Sequence, residues 1–180
     1  MGRSRATNPH EASIGGPAFL LSQVGAHASM RFAERLAPLG FAPPHAGILH
    51  NIEQADGLSQ QALSEKLGVF PSRLVALLDE LQQRGLIERR NSSADRRSYA
   101  LYLTAAGRAA LEQVRSIGRE HQDALCAALD ESERAHLTDL LARIAVEQRL
   151  TPGVHPGFRK LGGGPATPPR TRRGKSPEGR

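Results

Sequence analysis

Two rhythms of apolar and polar positions run along this chain, one with a helical period and one that alternates. From Phe19 to Leu39 the apolar residues Leu21, Val24, Ala28, Phe32, Leu36 and Leu39 recur at three- and four-residue spacing, the period of an amphipathic helix. Pro38 and Gly40 stop it. Pro43-Pro44 open a second helix through about Gln54, with Ile48, Leu49 and Ile52 inward. A proline in a first helical turn forfeits no intrahelical hydrogen bond. Asp56-Gly57 turns the chain, and Ser59 is a natural N-cap for a short third helix that buries Leu63 and Leu67 and ends at Gly68. Pro71 opens a fourth helix with Leu74, Leu77, Leu78 and Leu81 toward the core and Ser72, Arg73 and Ala76 outward, ending at Gly85.

Past Gly85 the alternating rhythm takes over. Leu86 to Arg90 predicts a short strand, Asn91 to Arg97 a polar tip, and Tyr99 to Leu103 a returning strand with Tyr99, Leu101 and Leu103 on one face. Thr104 then caps a long fifth helix through about Ala128. Asp130 with Glu133 starts a sixth in the manner of a capping box, ending near Leu150. The third and fourth helices, joined at Gly68-Val69-Phe70, form a helix-turn-helix, and the hairpin behind them forms a wing.

The fold expected is mainly α: a winged helix-turn-helix domain with a two-stranded β wing, plus long N- and C-terminal dimerisation helices. Residues 1–15 read as a polar leader and 16–150 as the domain, with its reader core at 43–104. Residues 151–180 read as a disordered basic tail, because six prolines and seven glycines with few large apolar groups do not repay the entropy of ordering. Leu111, Val114, Ile117 and Leu125 of the fifth helix, with Leu137, Leu140, Leu141 and Ile144 of the sixth, exceed what a small reader covers. That excess predicts a homodimer, the alternative being a three-helix layer within one chain.

The net charge of +6 changes this picture less than its location does. Residues 151–180 hold seven basic side chains against Glu178 alone, whereas residues 1–150 hold 17 of each sign. The high charge therefore belongs to the tail. Within the neutral body, Arg84 to Arg97 carries five arginines against Glu88 and Asp95, while Glu120 to Glu147 carries seven acids against two arginines. One end of the body is then electropositive, as a protein meeting phosphate at one end requires. Three of Arg89, Arg90, Arg96 and Arg97 have no nearby acid in sequence.

Composition excludes several classes. The longest apolar runs, such as Ala18 to Leu21, fall far short of the roughly 20 residues that span a bilayer, and no basic-then-apolar leader opens the chain. A soluble, cytoplasmic protein with no membrane partner is expected. The single cysteine, Cys126, allows neither a disulfide framework nor a multi-cysteine zinc site, and reads as a small buried apolar residue. No phosphate-binding glycine loop, paired Cys/His site or nucleophile with a recognisable base is present, so no enzyme, catalytic residue, metal or cofactor is expected.

Residues 19–150 resemble the MarR family of bacterial transcription regulators. The resemblance rests on Leu58-Ser59, Leu67-Gly68-Val69, Leu78-Asp79-Glu80-Leu81 and Arg84-Gly85-Leu86-Ile87-Glu88-Arg89, then Asp95-Arg96-Arg97-Ser98 with Leu101-Tyr102-Leu103-Thr104 and Gly107. It departs at Phe70, where the family usually has a small hydroxyl residue to cap the recognition helix. The resemblance implies a homodimeric winged-helix regulator, a repressor, that binds a pseudo-palindromic operator in double-stranded DNA and responds to a small aromatic or anionic effector.

Under that implication the recognition helix enters the major groove, where Arg73 suits a guanine and Ser72 either a base or a phosphate. Ser59 and Gln60 at a helix N-terminus suit phosphate. Arg97 inserts into the flanking minor groove, Asp95 braces its guanidinium, and Arg89, Arg90 and Arg96 meet phosphates. His27 and Arg31 on the first helix, with His45 and His50 on the second, are either the wall of an effector pocket or ordinary surface and interface groups. The competing class is a winged helix used for protein interaction or dimerisation without specific DNA binding.

Overall fold

The computed structural model of the chain describes residues 15–91, 99–155 and 157–160. Helix α1 spans Pro17–Leu36 and passes into a 3-10 turn, Ala37–Leu39, closed by Gly40 at φ 68°. Helix α2 (Pro43–Gln54) buries Ile48, Leu49 and Ile52 completely. Helix α3 (Gln60–Leu67) is capped by Ser59, whose hydroxyl oxygen accepts the Ala62 N–H at 3.1 Å, and it ends on Gly68 in the left-handed region.

Helix α4 (Pro71–Gln83) buries Leu74, Leu78 and Leu81, and its first turn receives no side-chain cap from Phe70. The corner between α3 and α4 is fixed instead by Ser64. This buried hydroxyl donates to the Val69 carbonyl at 2.6 Å, and the Val69 N–H returns to the Ser64 carbonyl. A polar side chain is affordable in that position because its hydrogen bond is made.

Among the described residues the sheet has three strands, one more than the alternating pattern predicts. Strands β2 (Ile87–Asn91) and β3 (Tyr99–Leu103) form the wing hairpin, and a two-residue strand β1 (Leu58–Ser59) pairs antiparallel with the other edge of β3. Leu58 faces Leu101 and Ser59 faces Ala100. Two residues carry no periodicity, so β1 is invisible to it.

Being central also alters the burial of β3. Ala100, flanked by Ser59 and Arg90 in the ladder, is buried, whereas Tyr99 at the outer end opposite Asn91 is 52% exposed. The expected alternation holds only for Leu101 and Leu103.

Helix α5 (Ala105–Leu125) begins at a dense knot. Thr104 accepts the Gly107 N–H at 2.9 Å and donates to the Gly85 carbonyl at 2.7 Å, while its own N–H bonds the Leu86 carbonyl. This locks the start of the wing to the start of α5. The helix stops at Leu125 rather than near Ala128, with Cys126, half-buried, as its C-cap.

Helix α6 (Glu131–Glu147) begins with the expected capping box between Asp130 and Glu133, both bonds measuring 2.9 Å. No residue of α6 is buried. Among the described residues no helix is long and apolar enough to cross a membrane.

The segment after α6 departs from a tail beginning at 151. Arg149 takes φ 53° and the Leu150 N–H bonds back to the Ala145 carbonyl, which ends α6 and turns the chain. A short helix α7 (Gly157–Lys160) follows, and Phe158 is buried in the core with Val154 packed beside it. Two apolar side chains among the prolines and glycines were enough to dock this stretch. The remainder, 161–180, lies outside the described residues.

Candidate nucleic-acid interface

The described candidate contact residues stand at the N-terminal ends of α3 and α4 and on the edge strand β2. Ser72 and Arg73 are exposed on the first turn of α4, and Arg73 has no acidic partner among the described residues. Pro71 fixes that first turn, so the fork of Arg73 leaves from a defined point. Phe70, immediately before it, is an exposed aromatic with 58% accessibility, a feature composition alone does not reveal. Ser59 and Gln60 stand at the start of α3. The oxygen of Ser59 is committed to its cap, which leaves the hydroxyl proton available to an outside acceptor.

The wing arginines divide into two groups. Asp95, Arg96 and Arg97 lie outside the described residues. Arg89 and Arg90, expected to stand free for phosphate, are engaged within the protein. Arg89 pairs with Asp79 of α4 at 2.6 Å and its side chain is only 19% exposed. It ties the root of the wing to the recognition helix, so it sets the angle between them. Arg90 pairs with Glu88, two residues before it on β2, and lies over the Tyr102 ring at 4.5 Å. Sequence distance concealed the first pair, since Asp79 belongs to another element. It also hid the stacking, because Tyr102 faces Glu88 in the ladder.

The four candidate effector residues do not form one cluster. His45 is buried and fully used: its Nδ1 accepts the Ala42 N–H at 3.1 Å, and its Nε2 donates to Glu80 at 3.0 Å. It is therefore a bracket between α2 and α4, which is neither of the two roles expected for it, the wall of an effector pocket or an ordinary surface or interface group. His50 is exposed on α2.

His27 and Arg31 do share a hollow of about 300 Å³, together with Arg35 and His121, which the sequence reading missed. The spacing of His27, Arg31 and Arg35 on one stripe of α1 was a usable signal, but His121 needed knowledge that α5 crosses α1. Among the described residues no group of three or more His, Cys, Asp or Glu could hold a metal ion.

His121 packs against the Phe32 ring, with centroids 5.5 Å apart. Burial, followed by the positive field of Arg35, Arg31 and His27, pushes its pKa below the ordinary histidine value. The folded protein thus binds this proton less readily than the unfolded chain does. Its cost is absent above the unfolded value of about 6.5 and grows as pH falls through it. His121→Asn is expected to narrow the loss of melting temperature between about pH 7.5 and about pH 5.5. An equal loss in wild type and variant would assign the acid sensitivity elsewhere.

Known proteins resemble this chain in sequence and in fold. A family model described as MarR family matches residues 39–98. A putative transcriptional regulatory protein for the hcr operon of Thauera aromatica is 34% identical over 145 residues, spanning 79% of this chain and 87% of that protein. Wild-type E. coli MarR without ligand superposes with a TM-score of 0.67 at 27% identity, covering 73% of this chain and 98% of that one.

A mutant of E. coli MarR complexed with operator DNA gives a TM-score of 0.61 at 28% identity, covering 69% and 90% of the two chains. A MarR family protein of Mycobacterium tuberculosis in complex with salicylic acid gives 0.60 at 27% identity, covering 74% and 98%. With the helix-turn-helix, the two-stranded wing and the flanking long helices in place, the chain belongs to the MarR family of winged-helix transcriptional regulators, which are not enzymes.

Proposed function

We propose that this chain is a homodimeric transcriptional repressor that reads an inverted-repeat operator and is released from it by a small aromatic or anionic ligand. The observation that carries the reading is the exposed first turn of α4, where Ser72 stands beside Arg73, which has no ion pair among the described residues. A related protein of the same fold is complexed with operator DNA, and another with salicylic acid. Arg73 supplies a bidentate fork for guanine, Ser72 reaches a base or a phosphate, and Ser59 and Gln60 hold phosphate at the α3 N-terminus. Arg96 meets phosphate, and Arg97, braced by Asp95, enters the minor groove. Arg89 and Arg90 orient the wing through Asp79 and Tyr102.

The need for a second copy is argued from α6. A helix of 17 residues with none buried has little besides the Arg134–Asp123 ion pair to hold it against α5, and Leu137, Leu140, Leu141 and Ile144 stand exposed along it. Phe19, Val24 and Met30 of α1 are likewise at least half exposed. A two-fold partner that covers these faces also places two recognition helices on successive major grooves.

Arg97→Ala is expected to weaken operator binding about tenfold, a loss of about 1.4 kcal/mol, without lowering thermal stability. A gel-shift titration reads the first and a melting curve the second. Unchanged affinity would remove Arg97 from the interface.

A further inference from the structure

Phe70 is an aromatic side chain that the fold does not use. It follows Val69 in the corner between α3 and α4, where its backbone is extended at φ −61° and ψ 138°. Successive side chains of extended backbone point to opposite sides. Val69 enters the core, held there by the two hydrogen bonds to Ser64, so the Phe70 ring is turned outward. It belongs neither to the core nor to the apolar side chains packed on it.

A polar residue at position 70 would serve the fold better. Ser59 holds the equivalent place before α3 with a similar backbone, φ −71° and ψ 151°, and its side chain caps that helix. Phe70 has no oxygen to offer. The Arg73 and Leu74 N–H groups share its carbonyl instead, both at 3.0 Å. In the free protein the ring thus leaves apolar surface in water and takes the place of a cap.

Its surroundings say what the ring is for. Residues 70–73 are exposed without a break, and Phe70 precedes Arg73 by three residues, about 4.5 Å along a helix axis. That is little more than one base step of about 3.4 Å. A phosphate offers an aromatic ring nothing. In the major groove the thymine C5-methyl is the apolar group that a base edge presents.

We propose that Phe70 is a specificity-determining residue: its ring packs on the C5-methyl of a thymine beside the guanine that Arg73 reads. The proposal rests on the operator-binding reading above and adds a second base to it.

The test starts from DNA that the whole chain selects from a random double-stranded pool. Each thymine of the selected site is replaced in turn by deoxyuridine, which removes only the methyl group. Wild type is expected to lose about fourfold in affinity at one thymine of a half-site, the worth of burying one methyl. Phe70→Ser binds the thymine and deoxyuridine forms equally at that position. The same substitution supplies the missing cap oxygen and raises the melting temperature by about 2–4 °C.

Equal wild-type affinity for every deoxyuridine form overturns the proposal, as does a preference for the methyl that survives in Phe70→Ser. So does complete loss of binding by Phe70→Ser, or a melting temperature at or below that of wild type, which would make the ring a prop of the corner. Each of these leaves operator binding standing. A pool that stays random overturns both readings together.

Discussion

Gly107→Ala is expected to destabilise this protein far more than the same change at Gly118 on the same helix. A Cβ at position 107 would lie 1.9 Å from the Leu86 carbonyl oxygen, a backbone atom that cannot rotate away. That carbonyl already accepts the Thr104 N–H, and the Thr104 hydroxyl bonds the Gly85 carbonyl and caps Gly107. Making room forces the first turn of α5 away from the root of β2 and breaks this knot.

The expected cost is about 3 kcal/mol or more, at the upper end of overpacking effects, and it lowers the melting temperature by about 10 °C. Gly118, on the same helix, is the control. A Cβ there meets nothing within 4 Å, so Gly118→Ala should gain up to about 1 kcal/mol from helix propensity. Equal melting temperatures for the two variants would mean that α5 does not cross β2 as closely as described.

The second large effect falls on recognition. Arg73→Ala is expected to cost about 1–3 kcal/mol of operator affinity, concentrated at one base position in each half-site. Its side chain is exposed and carries no ion pair among the described residues, so stability should change little. Gel shifts against an operator series varied at single positions would check this. A uniform loss across the series would show that Arg73 touches only phosphate.

The arginine-rich stretch shows how far the sequence could be read. Helices α2 and α3 followed from local signals, because a proline in a first turn, a serine cap and a left-handed glycine each act over a few residues. The capping box of α6 followed for the same reason. Partners distant in sequence did not follow. Arg89 looked unneutralised because Asp79 lies ten residues back on another helix, and their pairing exists only once α4 packs against β2. His45 looked like a pocket, surface or interface group because the spacing of α2 does not reveal that Glu80 of α4 faces it.

Phe158 was missed for a different reason. The composition of its surroundings argued for disorder, yet one aromatic ring and one absent side chain at Gly47 outweighed that average. The exposure of Arg73 was legible because it depends only on the first turn of its own helix.

Selection of bound fragments from a random double-stranded DNA pool by this protein would decide whether it reads DNA and with what symmetry. An inverted repeat whose half-sites are centred about one helical turn apart, roughly 34–36 Å, should be enriched, with affinity falling steeply as salt rises. A pool that stays random, or binding that ignores salt, would contradict it and leave a winged helix used for protein contacts.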